Sequence, residues 1–257
     1  MRYYMIADAH LFPEPEPHPG RERLLSFLRD LTGEEPGYLW VLGDLFEFWF
    51  EYRSVIPDGY HRILQALRDL TDSGWCVHFL PGNHDAWAGE RFRRITGSEI
   101  HDRKYVKTEM NGLDVLLSHG DALGRGDLGY KLLLRPIIRS PLSRVLFYLL
   151  HPDLSAPLAR SFSGTSRRFL RKDCEGLPAG LASWAQSMLS DVDLVVTAHT
   201  HVPMLRRLPD GCHLSLGDWL KSFSYALLQK GELQLYVDGR LSDSCCLDYR
   251  EEEGAES

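Results

Sequence analysis

Apolar residues along this chain fall into short runs that alternate between two periods. Tyr3–Ala7, Tyr38–Leu42 and Trp75–Leu80 are runs of strand length. Between them, Arg21–Leu31 places Leu24, Phe27, Leu28 and Leu31 on one helical face, and Tyr60–Leu70 does the same with Ile63, Leu64, Leu67 and Leu70. The Pro-rich stretch Phe12–Pro19 reads as a loop, and Val115–Leu117, Leu194–Val196 and Leu214–Leu216 as further buried strands. Near the end, Phe223–Leu228 and Glu232–Val237 flank Lys230-Gly231, a hairpin signal. Strands interleaved early with helices and joined late by hairpins predict a layered α/β fold.

Most of six polar clusters follow such a run: Asp8-Ala9-His10, Gly43-Asp44, Gly82-Asn83-His84-Asp85, His119-Gly120-Asp121, His199-Thr200-His201 and Gly217-Asp218-Trp219. In Asp8-x-His10 and His199-x-His201, an extended backbone would point both side chains the same way, within reach of one ion. Gly43 permits a turn that projects Asp44, and Asn83 could cap a following helix. Taken singly, each cluster also fits an ordinary turn, cap or loop. Together they supply the imidazole, carboxylate and amide donors that a two-metal phosphoesterase centre requires. Mixed nitrogen and oxygen donors suit Mn²⁺, Fe²⁺, Zn²⁺ or Co²⁺ better than Ca²⁺. A carboxylate shared by two ions explains why one central Asp44 suffices. Ions about 3.5–4 Å apart lower the pKa of a shared water and neutralise phosphate oxygens; carbonyl hydrolysis would use similar metals.

The 257 residues can fill one substantial core, so residues 1–250 are expected to form one domain, with 251–257 an acidic, disordered tail. The formal charge of −7 argues against a nucleic-acid partner held by bulk electrostatics, and nothing signals an obligate protein partner. That charge is unevenly spread: residues 125–172 carry +8, leaving −15 elsewhere. Within this block, residues 128–172 break the strand–helix rhythm with apolar runs interrupted by Pro136, Pro141 and Pro152, which predicts a helical insertion or lid. Its arginines could equally face water over an ordinary packed insertion. Five cysteines without C-x-x-C spacing indicate neither a disulfide framework nor a thiolate metal site. The chain opens on a strand pattern without a signal-peptide form and has no run of roughly 20 apolar residues, so a cytoplasmic setting is expected.

The motifs D-x-H, G-D-x-x-E, G-N-H-D, a later histidine and A-H-x-H resemble those of the calcineurin-like metallophosphoesterases, up to about Val237. The resemblance implies a β-sandwich flanked by helices. It implies one metal held by Asp8, His10, Asp44 and His201 and another by Asp44, Asn83, His119 and His199. His84 would stabilise the transition state or protonate the leaving group, oriented by Glu47 with help from Asp85.

Within the superfamily, the run Gly43–Trp49, Ser118-His119-Gly120-Asp121, Asp127-x-Gly129-Tyr130, the basic insertion and Leu216–Trp219 are similar to the UDP-2,3-diacylglucosamine hydrolases of the lipid A pathway. That likeness implies cleavage at the α-phosphorus to UMP and 2,3-diacylglucosamine 1-phosphate, usually with two Mn²⁺ ions. The partners it implies are a nucleotide-linked diacylated glucosamine lipid and the anionic surface of the bacterial inner membrane, met peripherally from the cytoplasm. Leu133, Ile137, Leu146 and Phe147 would line acyl grooves, and Asn83, Tyr130, Arg160, Ser163, Thr165 and Arg168 would contact substrate. The best-known members carry arginine at the position of His84 and an aspartate-rich stretch where Phe50-Glu51-Tyr52 stands. A pyrophosphatase or phosphodiesterase with another substrate, or a non-catalytic metal-binding adaptor, remain as alternatives.

Overall fold

The structure is a computed structural model that describes residues 1–52, 55–121, 123, 140–149 and 176–247. Twelve strands among them form two sheets. In the first, β1 (Arg2–Ile6), β2 (Tyr38–Val41), β3 (Cys76–Phe79) and the two-residue edge strand β4 (Glu99–Ile100) run parallel. On the other side of β1 lie β10 (Tyr225–Gln229), β11 (Glu232–Val237) and β12 (Arg240–Cys246), all antiparallel, giving the order β12-β11-β10-β1-β2-β3-β4. The second sheet is β5 (Val106–Met110), β6 (Leu113–Leu117), β7 (Leu194–Thr197), β9 (Gly211–Ser215) and β8 (Met204–Leu208), with β6, β7 and β9 parallel.

The sheets face each other across an apolar core. Met5, Trp40, Leu42 and Leu80 from the first meet Leu113, Val115, Leu117, Leu194, Val196 and Leu214 from the second. On the outer side of the first sheet lie α1 (Arg21–Thr32), α2 (His61–Asp72) and α3 (Glu90–Thr96). Leu24, Leu28 and Leu31 of α1 and Ile63, Leu64, Leu67 and Leu70 of α2 pack there with Ile6, Val41 and Phe79, forming the stripes the 3.6-residue period predicts. Each such leucine, fully buried, contributes on the order of 1.5–3 kcal/mol. After α4 (Pro141–Tyr148), α5 (Ala179–Met188) covers the outer face of the second sheet through Ala185 against Leu116 and Val195. The layered sandwich flanked by helices therefore stands as expected.

Several elements depart from the sequence pattern. The predicted strand from Phe223 begins at Tyr225, because Phe223 takes a left-handed φ of 44° and Ser224 N–H donates to the Asp218 carbonyl. The aromatic run after Asp44 is core: Leu45, Phe46 and Trp49 are buried against Tyr60 and Phe92. Glu51 crosses to α3, where its carboxylate accepts N–H bonds from Gly89, Arg91 and Phe92 and answers the helix dipole. Cys212 and Cys245 are free, yet their sulfurs lie 2.7 Å apart between the sheets. Of the expected insertion, α4 is described and is helical, with Leu142, Val145 and Leu146 exposed and Leu149 just beyond it also exposed.

Candidate metal centre

Parallel strands all present their carboxyl ends on one side, and the polar clusters sit there, as ligands do in open parallel sheets. β1 leads to Asp8 and His10, β2 to Asp44, β3 to Asn83 and His84, β6 to His119, and β7 to His199 and His201. These side chains gather beyond the sandwich core. Asp8, His10, Asp44, Asn83, His84 and His119 are buried, while the His201 side chain is 35% exposed and forms the rim.

The local backbone is not the extended one expected. Asp8, His10, Asp44, His199 and His201 all adopt left-handed φ, between 46° and 70°. Period-2 geometry therefore does not explain D-x-H or H-x-H; paired left-handed turns aim both side chains inward. Such conformations cost on the order of 1–3 kcal/mol each in non-glycine residues and cluster at functional sites. Backbone bonds hold them: Asp8 N–H to Gly43 O, His10 N–H to Asp44 O and Ala198 N–H to His119 O. Gly43, at φ 83°, turns the chain as its position predicts. Gly82 is required for space, since a Cβ there would collide with the Asp44 carboxylate. Asn83 caps no helix, because α3 begins seven residues later.

Donor atoms converge in two groups, bridged by a third made of His10, Asp44 and His84. Asp8, His10 and His201 form one, and Asp44, His119 and His199 the other, each with its donor atoms within 4.8 Å. His10 Nε2 and His201 Nε2 approach to 3.2 Å, with Asp8 Oδ1 at 3.6 and 3.7 Å from them. Asp44 stands between the groups: Oδ2 is 3.8 Å from His10 Nε2 and 3.3 Å from His119 Nε2. Its other oxygen accepts the His84 N–H at 2.8 Å. Asn83 Oδ1 lies 3.3 Å from His119 Nε2.

Hydrogen bonding turns lone pairs into this space. His119 Nδ1 donates to the Leu42 carbonyl at 2.8 Å, so Nε2 is the nitrogen aimed at the oxygens of Asp44 and Asn83, and it becomes a bare donor once its proton is displaced. His201 Nδ1 donates to Asp218 Oδ2 at 3.2 Å, and its Nε2 then faces His10 and Asp8. Acceptors confronting acceptors need a cation between them, and buried Asp8 Oδ1 receives no hydrogen bond from the described residues. The residues present thus fit two divalent ions.

The titration shifts report the same surplus of negative charge. Burial would depress His10 and His119, but Asp8, Glu47 and Asp44 around His10, and Asp44, Asp8 and Asp121 around His119, outweigh it and drive both up to about 10, so a metal bound there displaces their protons. Burial and the nearby His119 push His199 down to about 4, keeping it neutral as a ligand must be. Asp44 resists burial and is held well below the usual carboxylate range, chiefly by His119 and His84.

The contacts around His84 differ from those expected. His84 is oriented by the main chain of Glu47: Nδ1 donates to that carbonyl at 2.7 Å. The Glu47 carboxylate instead stands 3.5 Å from His10 Nδ1, on the side of that ring away from Asp8 and His201. Asp85 accepts N–H bonds from Gly82, Asp44 and Leu45 and so builds the turn that carries Asp44. Asp218 was visible as part of a cluster but not as a partner of His201, and no local signal linked them. Tyr130, Arg160, Ser163, Thr165, Arg168, Leu133 and Ile137 lie outside the described residues, as does the side chain of Phe147.

A model of the calcineurin-like phosphoesterase family matches residues 1–203. The UDP-2,3-diacylglucosamine hydrolase of Porphyromonas gingivalis is 30% identical over 247 residues, covering 88% of this chain and 93% of that protein. That of Pseudomonas putida is 35% identical over 223 residues, covering 84% and 90%. Among solved structures, wild-type Vps29 complexed with Zn²⁺ from Entamoeba histolytica is 14% identical, with a TM-score of 0.47 over 95% of this chain and 98% of that one.

Proposed function

Because this chain belongs to the calcineurin-like phosphoesterases, we propose that it hydrolyses the pyrophosphate of UDP-2,3-diacylglucosamine, by attack at the α-phosphorus, to UMP and 2,3-diacylglucosamine 1-phosphate. The observation that carries the reading is the complete donor set, gathered in a chain that matches relatives of that name along nearly its whole length.

Asp8, His10, Asp44 and His201 would hold one divalent ion and Asp44, Asn83, His119 and His199 the other. Mn²⁺ is the first choice, with Fe²⁺, Zn²⁺ and Co²⁺ also suited to these donors. When bound, such a pair lowers the pKa of a shared water and neutralises phosphate oxygens during in-line displacement. Asp44 would serve both positions through one carboxylate. Asp218 and the Leu42 carbonyl fix the tautomers of His201 and His119.

His84 stands beside His10, ring to ring at 4.7 Å and nearly perpendicular, with Nδ1 committed to Glu47. Nε2 is the atom left to meet substrate. Phosphate monoesters have a second pKa near about 6. The sugar phosphate can therefore leave as a dianion without a proton at neutral pH. The role of His84 is accordingly a hydrogen bond to a phosphoryl oxygen as charge builds there. Glu47 supports His10 from behind.

Substrate lipid and surface fit the remaining features. Residues 125–172 carry +8, which attracts a pyrophosphate and an anionic leaflet. Tyr130, Arg160, Ser163, Thr165 and Arg168 are proposed to contact the substrate. The exposed apolar side chains Leu142, Val145, Leu146 and Leu149 suit acyl chains. No helix among the described residues is long and apolar enough to cross a membrane. Peripheral contact with the cytoplasmic face of the inner membrane is the proposed setting.

The test compares, with Mn²⁺, UDP-2,3-diacylglucosamine, its deacylated analogue and a bis-aryl phosphodiester. UMP released from the acylated substrate alone supports both reaction and lipid recognition. Cleavage of the generic ester alone would remove the lipid substrate and leave a phosphodiesterase.

A further inference from the structure

A second set of donors converges at the free edge of the seven-stranded sheet, away from the strand ends. His78 lies on β3, Glu99 on the edge strand β4 and His101 immediately after it. Pairing of β3 with β4 sets His78 beside Glu99 and Phe79 beside Ile100. The His101 N–H then donates to the Phe79 carbonyl at 2.8 Å, which returns the second imidazole to the first.

His78 Nδ1 and His101 Nε2 are 3.0 Å apart. Glu99 Oε2 is 3.5 Å from His78 Nδ1, and Oε1 is 3.9 Å from His101 Nε2. One donor atom from each residue lies within 4.8 Å of the others. An aromatic wall fixes both rings. Trp40 stacks on His78 at 4.2 Å and on His101 at 5.1 Å, and Tyr38 lies parallel to His78 at 6.0 Å. Both imidazoles are only 16% exposed, whereas the Glu99 side chain is 66% exposed and free to close over them.

We propose that His78, Glu99 and His101 form a separate site for a divalent late transition metal, Zn²⁺ foremost, which clamps the two-residue edge strand onto β3. Two imidazoles and a carboxylate are a donor set that Zn²⁺, Ni²⁺ and Cu²⁺ accept, with an outward position left for water. In a tetrahedral Zn²⁺ shell with bonds of about 2.0–2.1 Å, neighbouring donors sit about 3.3 Å apart. The two ring nitrogens here are 3.0 Å apart, close to the 3.2 Å between His10 and His201 in the strand-end centre. Binding needs shifts of a few tenths of an ångström and one rotation of Glu99.

A bare hydrogen bond between the rings accounts for their spacing but not for the carboxylate brought up to both. Burial and His101 push His78 below its ordinary value. Burial does the same for His101 against the pull of Glu99, so both rings stay neutral and ready to ligate. The benefit is local: β4 is short and at an edge, where unpaired backbone invites other strands.

The test strips the full chain of metal, dialyses it against Zn²⁺ and counts bound ions by elemental analysis. Wild type should hold one ion more than His101→Ala, with hydrolysis unchanged in the variant. Asp44→Asn should retain the edge ion, and adding His101→Ala should remove it. Equal counts in wild type and His101→Ala, or an edge ion surviving in the double variant, would overturn the proposal. Should His101→Ala fold poorly, Glu99→Gln at its exposed position serves instead. It should weaken the extra Zn²⁺ by at least the roughly tenfold typical of losing even an outer-sphere partner, and an unchanged affinity there is equally fatal.

Discussion

Replacing Asp218 by Asn isolates one carboxylate charge from the turn that carries it. Asp218 Oδ1 accepts N–H bonds from Leu220, Lys221 and Ser222, and Oδ2 accepts from His201 Nδ1. Burial would raise this carboxyl, but His201 and the Ser222 and Lys221 amides outweigh it and hold it far below its usual range. It is an anion at every working pH. An Asn carbonyl keeps the three turn bonds, whereas its amide meets the His201 N–H as donor against donor. His201 then turns or moves its proton to Nε2, the atom aimed at Asp8 and His10. Loss of such an outer partner costs roughly 10–100-fold in metal affinity, about 1.4–2.7 kcal/mol. The loss should fall on one ion only, because His119 and His199 do not depend on Asp218. A chelator competition with Mn²⁺ or Zn²⁺ reads the two affinities separately, and melting in excess chelator reads the turn. One affinity should fall by that factor while the metal-free melting temperature holds. Two affinities within twofold of wild type would refute the role assigned to Asp218. A fallen melting temperature without chelation loss would assign the residue to the turn alone.

His213 is buried on β9 with Nε2 2.9 Å from Thr197 Oγ1, and burial, then Arg206, push it down to about 4. The unfolded chain, near 6.5, takes up that proton first. Stability is therefore full above about pH 6.5 and falls toward pH 4, by about 2 kcal/mol at pH 5. Urea unfolding of wild type and His213→Gln should show their stability gap shifting by that amount between pH 7.5 and pH 5; a constant gap would contradict it. His84→Asn should lower kcat by roughly 10²–10³-fold with both ions retained, since the lost hydrogen bond forms only as charge develops; elemental analysis beside kinetics checks this. Gly82→Ala should expel both ions by displacing Asp44, at a packing cost of about 1–3 kcal/mol; a loaded, active variant would refute the tight fit.

The side chains that converge beyond the core were legible because they stand where apolar runs stop, and strand ends are where a parallel sheet exposes side chains. How they converge was not legible. Left-handed turns at Asp8, His10, His199 and His201 carry no glycine or proline to announce them, so an extended segment was the natural expectation. Asp218 and His201 are 17 residues apart and meet only because the loop after β9 folds back beside β7. Glu47 turned its carboxylate to His10 because Nδ1 of His84 was already satisfied by the Glu47 carbonyl. Helices α1 and α2 followed their stripes closely. β5 and β12 escaped notice for the opposite reason: Val-Lys-Thr-Glu-Met and Arg-Leu-Ser-Asp-Ser-Cys-Cys are polar edge strands whose partners, not composition, make them strands.

Hydrolysis of UDP-2,3-diacylglucosamine in ¹⁸O-water by the Mn²⁺-loaded full chain, followed by phosphorus-resolved detection, tests the central claim most directly. Attack at the α-phosphorus places the heavy oxygen in UMP and leaves the lipid phosphate unlabelled, and Asp44→Ala gives neither product. Label in the lipid phosphate, or no UMP from a chain that holds both ions, would contradict the proposed reaction.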